Sequence, residues 1–185
     1  EAGVSPQEFC YDLMMQDSGK TVVYFPCFGY GANDLSRQVE LLEDSSTVIS
    51  LADTGAHCGV LCDASIPTQM LSYYVRDRER GHRLKLEDVV KMQTFDTARC
   101  VGLEDRGTLE VGMKADLNLI DFETLQLESP QIIYDLPAGG RRMFQGASGY
   151  IATIVNGEII MENGKHTGAV PGALIRGAQP APKAA

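Results

Sequence analysis

Apolar and polar positions along this chain change period several times, and the changes divide it into elements. Ser5-Pro6-Gln7-Glu8 opens a helix: Ser5 caps, Pro6 suits the first helical position and Glu8 completes a capping box. Phe9, Leu13 and Met14 then recur at helical spacing through about Gln16, and Asp17-Ser18-Gly19 stops the run. Thr21 to Phe25 is β-branched and aromatic and predicts a strand. Pro26, Gly29 and Gly31 predict a loop, after which Asn33 or Asp34 caps a helix with Leu35, Val39 and Leu42 on one face. A second strand begins at Thr47, runs through Val48, Ile49 and Leu51, and breaks into Asp53-Thr54-Gly55-Ala56-His57. Helix, strand, helix, strand with short connections is the pattern of a parallel sheet.

Beyond this point a loop runs to Ser65. Ser65 and Pro67 open a helix carrying Met70, Leu71, Tyr74 and Val75 on one side, closed by Gly81. Another helix spans roughly Lys85 to Gln93, with Leu86, Val89 and Val90 inward, and a helical turn follows from Phe95 to Cys100. From Gly107 the chain reads as strands and turns. Leu109 to Val111 and Ala115 to Phe122 are strands, and Pro130 to Gly149 reads as irregular. Tyr150 to Val155 and Glu158 to Met161 flank Asn156-Gly157, a strong hairpin signal, and Asn163-Gly164 marks a further turn. The Ala/Pro-rich end is expected to be disordered.

The net charge of −9 argues against a nucleic-acid partner, because no basic field is present to replace counterions. One basic cluster, Arg76, Arg78, Arg80 and Arg83, alternates with acids and reads as a solvated helix end. No apolar run reaches membrane-spanning length, so the expectation is a cytoplasmic protein without a membrane partner. The five cysteines are odd in number and scattered, which fits reduced, buried thiols. His57, Cys58 and Cys62 form H-C-x-x-x-C, but no second ligand pair follows to complete a structural zinc site.

Chemistry in parallel α/β folds gathers just past the carboxyl ends of strands, where Asp53 is placed by this reading. An aspartate there can bind a metal, move a proton, or simply form a turn. His57, four residues on, reads as a substrate contact or as a loop brace. Arg141 and Arg142, in a glycine-rich stretch, offer a planar cation for a substrate carboxylate or an ordinary surface loop.

Taken in order, four segments resemble the C-terminal part of the amidohydrolase superfamily. They are the strand with Asp53, the run VVKMQTFDTARCVGLEDRG, the segment TLEVGMKADLNLIDF and the hairpin YIATIVNGEIIMENGKHTG. LADTGAHCG and SYYVRDRERG are most similar to D-aminoacylase and related N-acyl-D-amino-acid deacylases. The resemblance implies an α/β fold: the last two βα units of a (β/α)8 amidohydrolase barrel, then the C-terminal strands of a small β-sandwich. Residues 1–103 would be barrel, 104–176 the returning half of the sandwich, and 177–185 a disordered tail. It implies one or two zinc ions beside Asp53, which would ligate metal and shuttle a proton, with His57 and Arg142 toward the substrate, a small N-acyl amino acid or related amide.

The family's His-x-His and its other upstream ligands are absent here; the histidines are His57, His82 and His166. The chain is therefore expected to be a fragment completed by a missing N-terminal part or by another copy of itself. A competing expectation is a non-catalytic module whose exposed barrel edges bind another chain.

Overall fold

The computed structural model describes residues 3–23, 30, 34–50 and 57–182. Helix α1, Pro6–Met15, starts as its sequence dictates, with the Ser5 hydroxyl accepting a hydrogen bond from the Glu8 N–H at 3.2 Å. It buries no residue, so its apolar face is uncovered among the described residues. Helix α2, Ser36–Glu43, is entered through Asp34, whose carboxylate accepts from the Ser36 N–H at 3.0 Å. Its inward face is Leu35, Val39 and Leu42, with Val39 fully buried.

The third helical segment begins as α3, Ile66–Gln69, and widens into a π-helical stretch, Met70–Asp77. A single helical segment then covers residues 86–100: α4, Leu86–Lys91, a π-helical Met92–Asp96, and α5, Thr97–Cys100. The expected break between two helices there does not occur, because the chain keeps helical dihedrals through Met92 and Thr97. Only Val89 of the three expected inward residues is buried; Leu86 and Val90 line an open apolar concavity with Phe95.

The described strands of the β part all pair antiparallel. Strands β1 (Leu117–Ile120), β6 (Tyr150–Val155), β7 (Glu158–Glu162) and β8 (Lys165–His166) form one sheet in the order β1-β6-β7-β8. Strands β2 (Gln126–Leu127) and β5 (Ala147–Ser148) pair, as do β3 (Gln131–Leu136) and β4 (Gly140–Phe144). Asn156 and Gly157 both take positive φ, 51° and 85°, and so do Asn163 and Gly164, at 47° and 77°. Those dihedrals match the twist of the flanking strands and set both two-residue hairpins.

Several expectations change. Residues 21–23 and 47–50 carry no ladder, and the rest of both predicted strands lies outside the described residues. A parallel strand needs ladder partners beside it, and none is supplied among the described residues. Leu109 to Val111 forms no strand; Val111 is fully exposed beside the Gly112 turn. The stretch read as irregular holds the β3–β4 hairpin, reversed by Ala138 and Gly139 in left-handed conformation. The segment expected to be a disordered tail is docked through residue 182. Gln179 bridges Leu103, donating its N–H to the Gly102 carbonyl and accepting from the Glu104 N–H, so its backbone groups find partners.

The core joins both halves. Val39, Met70, Leu71, Tyr74, Leu84 and Val89 pack in one cluster with Leu125, and Ile120 and Tyr150 lean on it, so packing continues across the expected boundary at 103/104. Complete burial of a leucine such as Leu125 stabilises by about 1.5–3 kcal/mol. Gly149 admits it: a Cβ there would stand 2.5 Å from the Leu125 Cα, and φ is +93°. The Thr68 hydroxyl meets the Tyr150 hydroxyl at 2.8 Å, and the Gln93 amide donates to the Pro67 carbonyl at 2.9 Å.

Two members of the arginine cluster, Arg76 and Arg78, are structural, while Arg80 and Arg83 are exposed as a solvated helix end would be. Arg78 is 2% exposed. Its guanidinium donates to the Arg80 carbonyl and to the Ser36 hydroxyl at 3.0 Å, and Arg83 donates to the Arg78 carbonyl at 2.8 Å. Arg76 donates to the carbonyls of Phe122, Glu123 and Leu125 and to both carboxylate oxygens of Asp77. Replacing Arg78 with Met is expected to cost about 2–4 kcal/mol, because it strands buried acceptors. Urea unfolding followed by circular dichroism measures this; Arg78→Lys should rescue little, since an ammonium cannot reproduce the fork.

Candidate functional site

A concavity lies where the segment after residue 56 meets the β3–β4 hairpin. His57 opens that segment in the left-handed region, φ 54°, and its carbonyl accepts from the N–H groups of Val60 and Leu61 at 2.9 and 3.0 Å. This tight turn brings Cys58 to the hairpin, where its carbonyl accepts from the Met143 N–H at 2.6 Å. Cys62 follows on the same side; its carbonyl accepts from the Ser65 hydroxyl at 2.8 Å, leading the chain into α3. The result is a cavity of about 450 Å³ between residues 58–64 and 135–145.

Its walls are mixed. Leu61, Ala64, Leu136, Met143 and Phe144 supply apolar surface, and Cys58, Cys62, Asp135, Arg142 and Gln145 supply the polar groups. Arg142 sits on β4 opposite Ile133, which leaves Asp135 on the diagonal and within reach. The guanidinium grips that carboxylate with two bonds of 2.7 Å each, and its carbon lies 5.3 Å from the Phe144 ring centroid. Hydrogen bonding from Arg142 holds the Asp135 carboxyl below the usual aspartate range. The Gln145 amide donates to the Glu128 carbonyl at 2.9 Å, and its oxygen faces the Cys62 sulfur at 3.7 Å.

Cys62 is pushed up from the ordinary thiol range, first by burial and then by Asp63. Burial thus favours the protonated thiol over the nucleophilic thiolate at neutral pH. Cys10 and Cys100 are exposed and Cys58 half-buried, so among the described cysteines none is the fully buried thiol expected. No group of three His, Cys, Asp or Glu side chains converges among the described residues, and His57-Cys58-Cys62 forms no such centre.

Of the sequence-derived site residues, Arg142 lines the cavity, already paired with Asp135. His57 is exposed and contributes through its backbone turn. His82 faces Glu43 at 3.0 Å, and His166 accepts from the Gly168 N–H. Asp53 lies outside the described residues. The sequence carries no sign of Asp135 or Gln145 as site residues and offers Cys62 only within H-C-x-x-x-C; the spacing of Asp135 from Arg142 across a two-stranded turn is the available signal. Asp116, in the segment TLEVGMKADLNLIDF, is architectural: it accepts from Arg106 at 2.9 Å and from the Asn156 N–H at 2.8 Å.

The chain matches the Amidohydrolase family over residues 28–161. It is 30% identical to the 5-methylthioadenosine/S-adenosylhomocysteine deaminase of Pelotomaculum thermopropionicum over 135 residues, 67% of this chain and 30% of that protein. It is 37% identical to the 5'-deoxyadenosine deaminase of Methanobrevibacter smithii over 87 residues, 45% of this chain and 19% of that protein. The chain thus spans less than a third of the length of these relatives. No solved structure matches it significantly. No described helix is long and apolar enough to cross a membrane.

The Asp135–Arg142 pair titrates in a definite direction. A depressed folded-state pKa means its stabilisation is present above the ordinary aspartate pKa and is lost as pH falls through the lowered value. Carbon-detected NMR titration of the Asp135 carboxyl should show the depression in the wild type, and Arg142→Gln should return it toward the ordinary value.

Proposed function

This chain belongs to the amidohydrolase family, and on that premise we propose that it is the carboxyl-terminal part of a metal-dependent hydrolase of carbon–nitrogen bonds. One observation carries the reading: the family match, residues 28–161, takes in Asp53, the His57 turn and the β3–β4 hairpin in a single span. The reaction class has clear demands. Water is a poor nucleophile and an amide a poor electrophile, so catalysis needs a base to take the water's proton and an acid to protonate the leaving nitrogen. Asp53 is assigned both tasks, as the carboxylate that ends the apolar run. Zinc, when bound, supplies Lewis acidity and a more acidic water. The described residues do not form its ligand set, and Asp53 is the candidate ligand that the family resemblance assigns.

For the substrate, we favour an N-acyl amino acid or related small amide, because LADTGAHCG and SYYVRDRERG resemble the D-aminoacylase branch. The apolar and cationic walls beside Arg142 suit an acyl group and a carboxylate. A second reading, hydrolytic removal of an amino group from a purine nucleoside, is favoured by the names of the two deaminase relatives. Both readings use the same proton transfer and differ in product: a carboxylic acid in the first, ammonia in the second.

The test is turnover of N-acetyl-D-amino acids and of 5'-deoxyadenosine by the zinc-supplied complete polypeptide. Asp53→Asn is expected to lower kcat by about 10²- to 10⁴-fold, the usual worth of a positioned acid–base group, with KM little changed. Near-wild-type turnover in that variant would remove Asp53 from the mechanism. A fully inactive wild type that binds a second polypeptide would favour the non-catalytic interaction module.

A further inference from the structure

We infer that Arg142 is a carboxylate-binding subsite held closed by its own counter-ion, Asp135, so that an organic anion enters the cavity by exchanging with that side chain. The inference deepens the amide-hydrolase reading by naming how the anionic end of a substrate is recognised.

Four observations converge on the exchange. First, the pairing geometry is that of a ligand complex: two parallel bonds of 2.7 Å from one guanidinium edge to both oxygens of one carboxylate. Second, the Asp135 side chain is 49% exposed and its partner 33%, so the carboxylate can swing into water without leaving a buried charge behind. Third, Arg142 does not depend on Asp135 alone for its place. It stands over the Phe144 ring, and the neighbouring Met143 N–H is fastened to the Cys58 carbonyl at 2.6 Å. The cation therefore stays presented when the aspartate leaves. Fourth, the space next to it is apolar on one side, through Leu61, Ala64, Leu136 and Met143. A carboxylate bearing a short hydrocarbon or acyl chain satisfies both halves of such a cavity, whereas inorganic phosphate would leave the apolar wall wet.

Replacing one carboxylate by another on the same fork is nearly balanced electrostatically. The apolar tail then decides the outcome, and Asp135 sets the threshold. A small anion without a tail gains nothing over the resident aspartate, which gives the site a selectivity that an open arginine would lack.

The experiment is calorimetric titration of the full chain with sodium hexanoate, and with neutral hexanamide as the isosteric control. Wild type should bind hexanoate saturably and hexanamide at least tenfold more weakly. Asp135→Asn should bind hexanoate about tenfold more tightly, since the competitor is gone, with hexanamide unaffected. Arg142→Gln should abolish the preference for the anion. The gain in Asp135→Asn is the decisive readout, because a misfolded variant cannot produce it. No saturable hexanoate binding to wild type, or equal or weaker binding to Asp135→Asn, overturns the inference. The readout needs no turnover. Intact anion exchange in a protein inactive on every C–N substrate would count against the hydrolase reading alone, and turnover without anion exchange would count against this inference alone.

Discussion

Arg76 reaches from the end of a π-helical turn to the carbonyls of Phe122, Glu123 and Leu125, and the joint between the helical and β parts of this chain depends on that reach. A guanidinium taken partly out of water must recover its hydration from protein acceptors, or the fold loses more than the contact gains. Here the acceptors are backbone carbonyls, which would otherwise be short of partners where β1 gives way to β2. Asp77 completes the fork. Two residues on, Arg78 does the same toward Arg80 and Ser36, and fixes the helix against α2. Gly81 is part of this arrangement: its φ is +79°, and a Cβ there would meet the Arg78 guanidinium at 2.4 Å. With the carboxyl-terminal end of residues 70–78 so fixed, Met70, Leu71 and Tyr74 share one cluster with Leu125, and one core serves both parts.

This explains which features were legible in the sequence. The cap at Ser5, the Leu35–Val39–Leu42 face, and the Asn156-Gly157 and Asn163-Gly164 turns are local. Each rests on dihedral preference or on periodicity within a dozen residues, and the structure has all of them. The roles of Arg76 and Arg78 are hidden because the cluster's alternating charges look solvated, while the partners of Arg76 lie 46 to 49 residues further on. The β3–β4 hairpin was hidden for a different reason. Adjacent Ile132 and Ile133 break the two-residue alternation, and the reversal uses Ala138 in a left-handed conformation that its side chain does not advertise. Leu109 and Val111 show the opposite error: apolar residues of strand type stand exposed at a turn, as isolated apolar residues often do.

The candidate site follows the same division. Arg142 was legible as a planar cation in a glycine-rich setting, but its relation to Cys58 is a contact between distant segments made by one backbone hydrogen bond. That bond carries the geometry of the cavity, since it fixes the segment that follows Asp53 in sequence against the hairpin that carries Arg142. Composition could suggest the residue but not the wall it would face. The fold alone leaves the chemistry of this place general.

Three of the arginines are paired with acids near them in sequence or across a turn. Arg76 has Asp77, Arg106 has Asp105 and Asp116, and Arg142 has Asp135. In a chain with net charge −9, cations are outnumbered and tend to be claimed by resident carboxylates. What separates them is what else is held. Arg76 is committed to three carbonyls besides its acid, so no incoming anion could displace the whole set. Arg106 is held between two acids at once. Arg142 has a single, half-exposed carboxylate and an apolar cavity alongside. Among these three, Arg142 is the least committed and has apolar surface beside it, so charge scarcity there becomes a means of selecting for ligands that bring apolar surface with them.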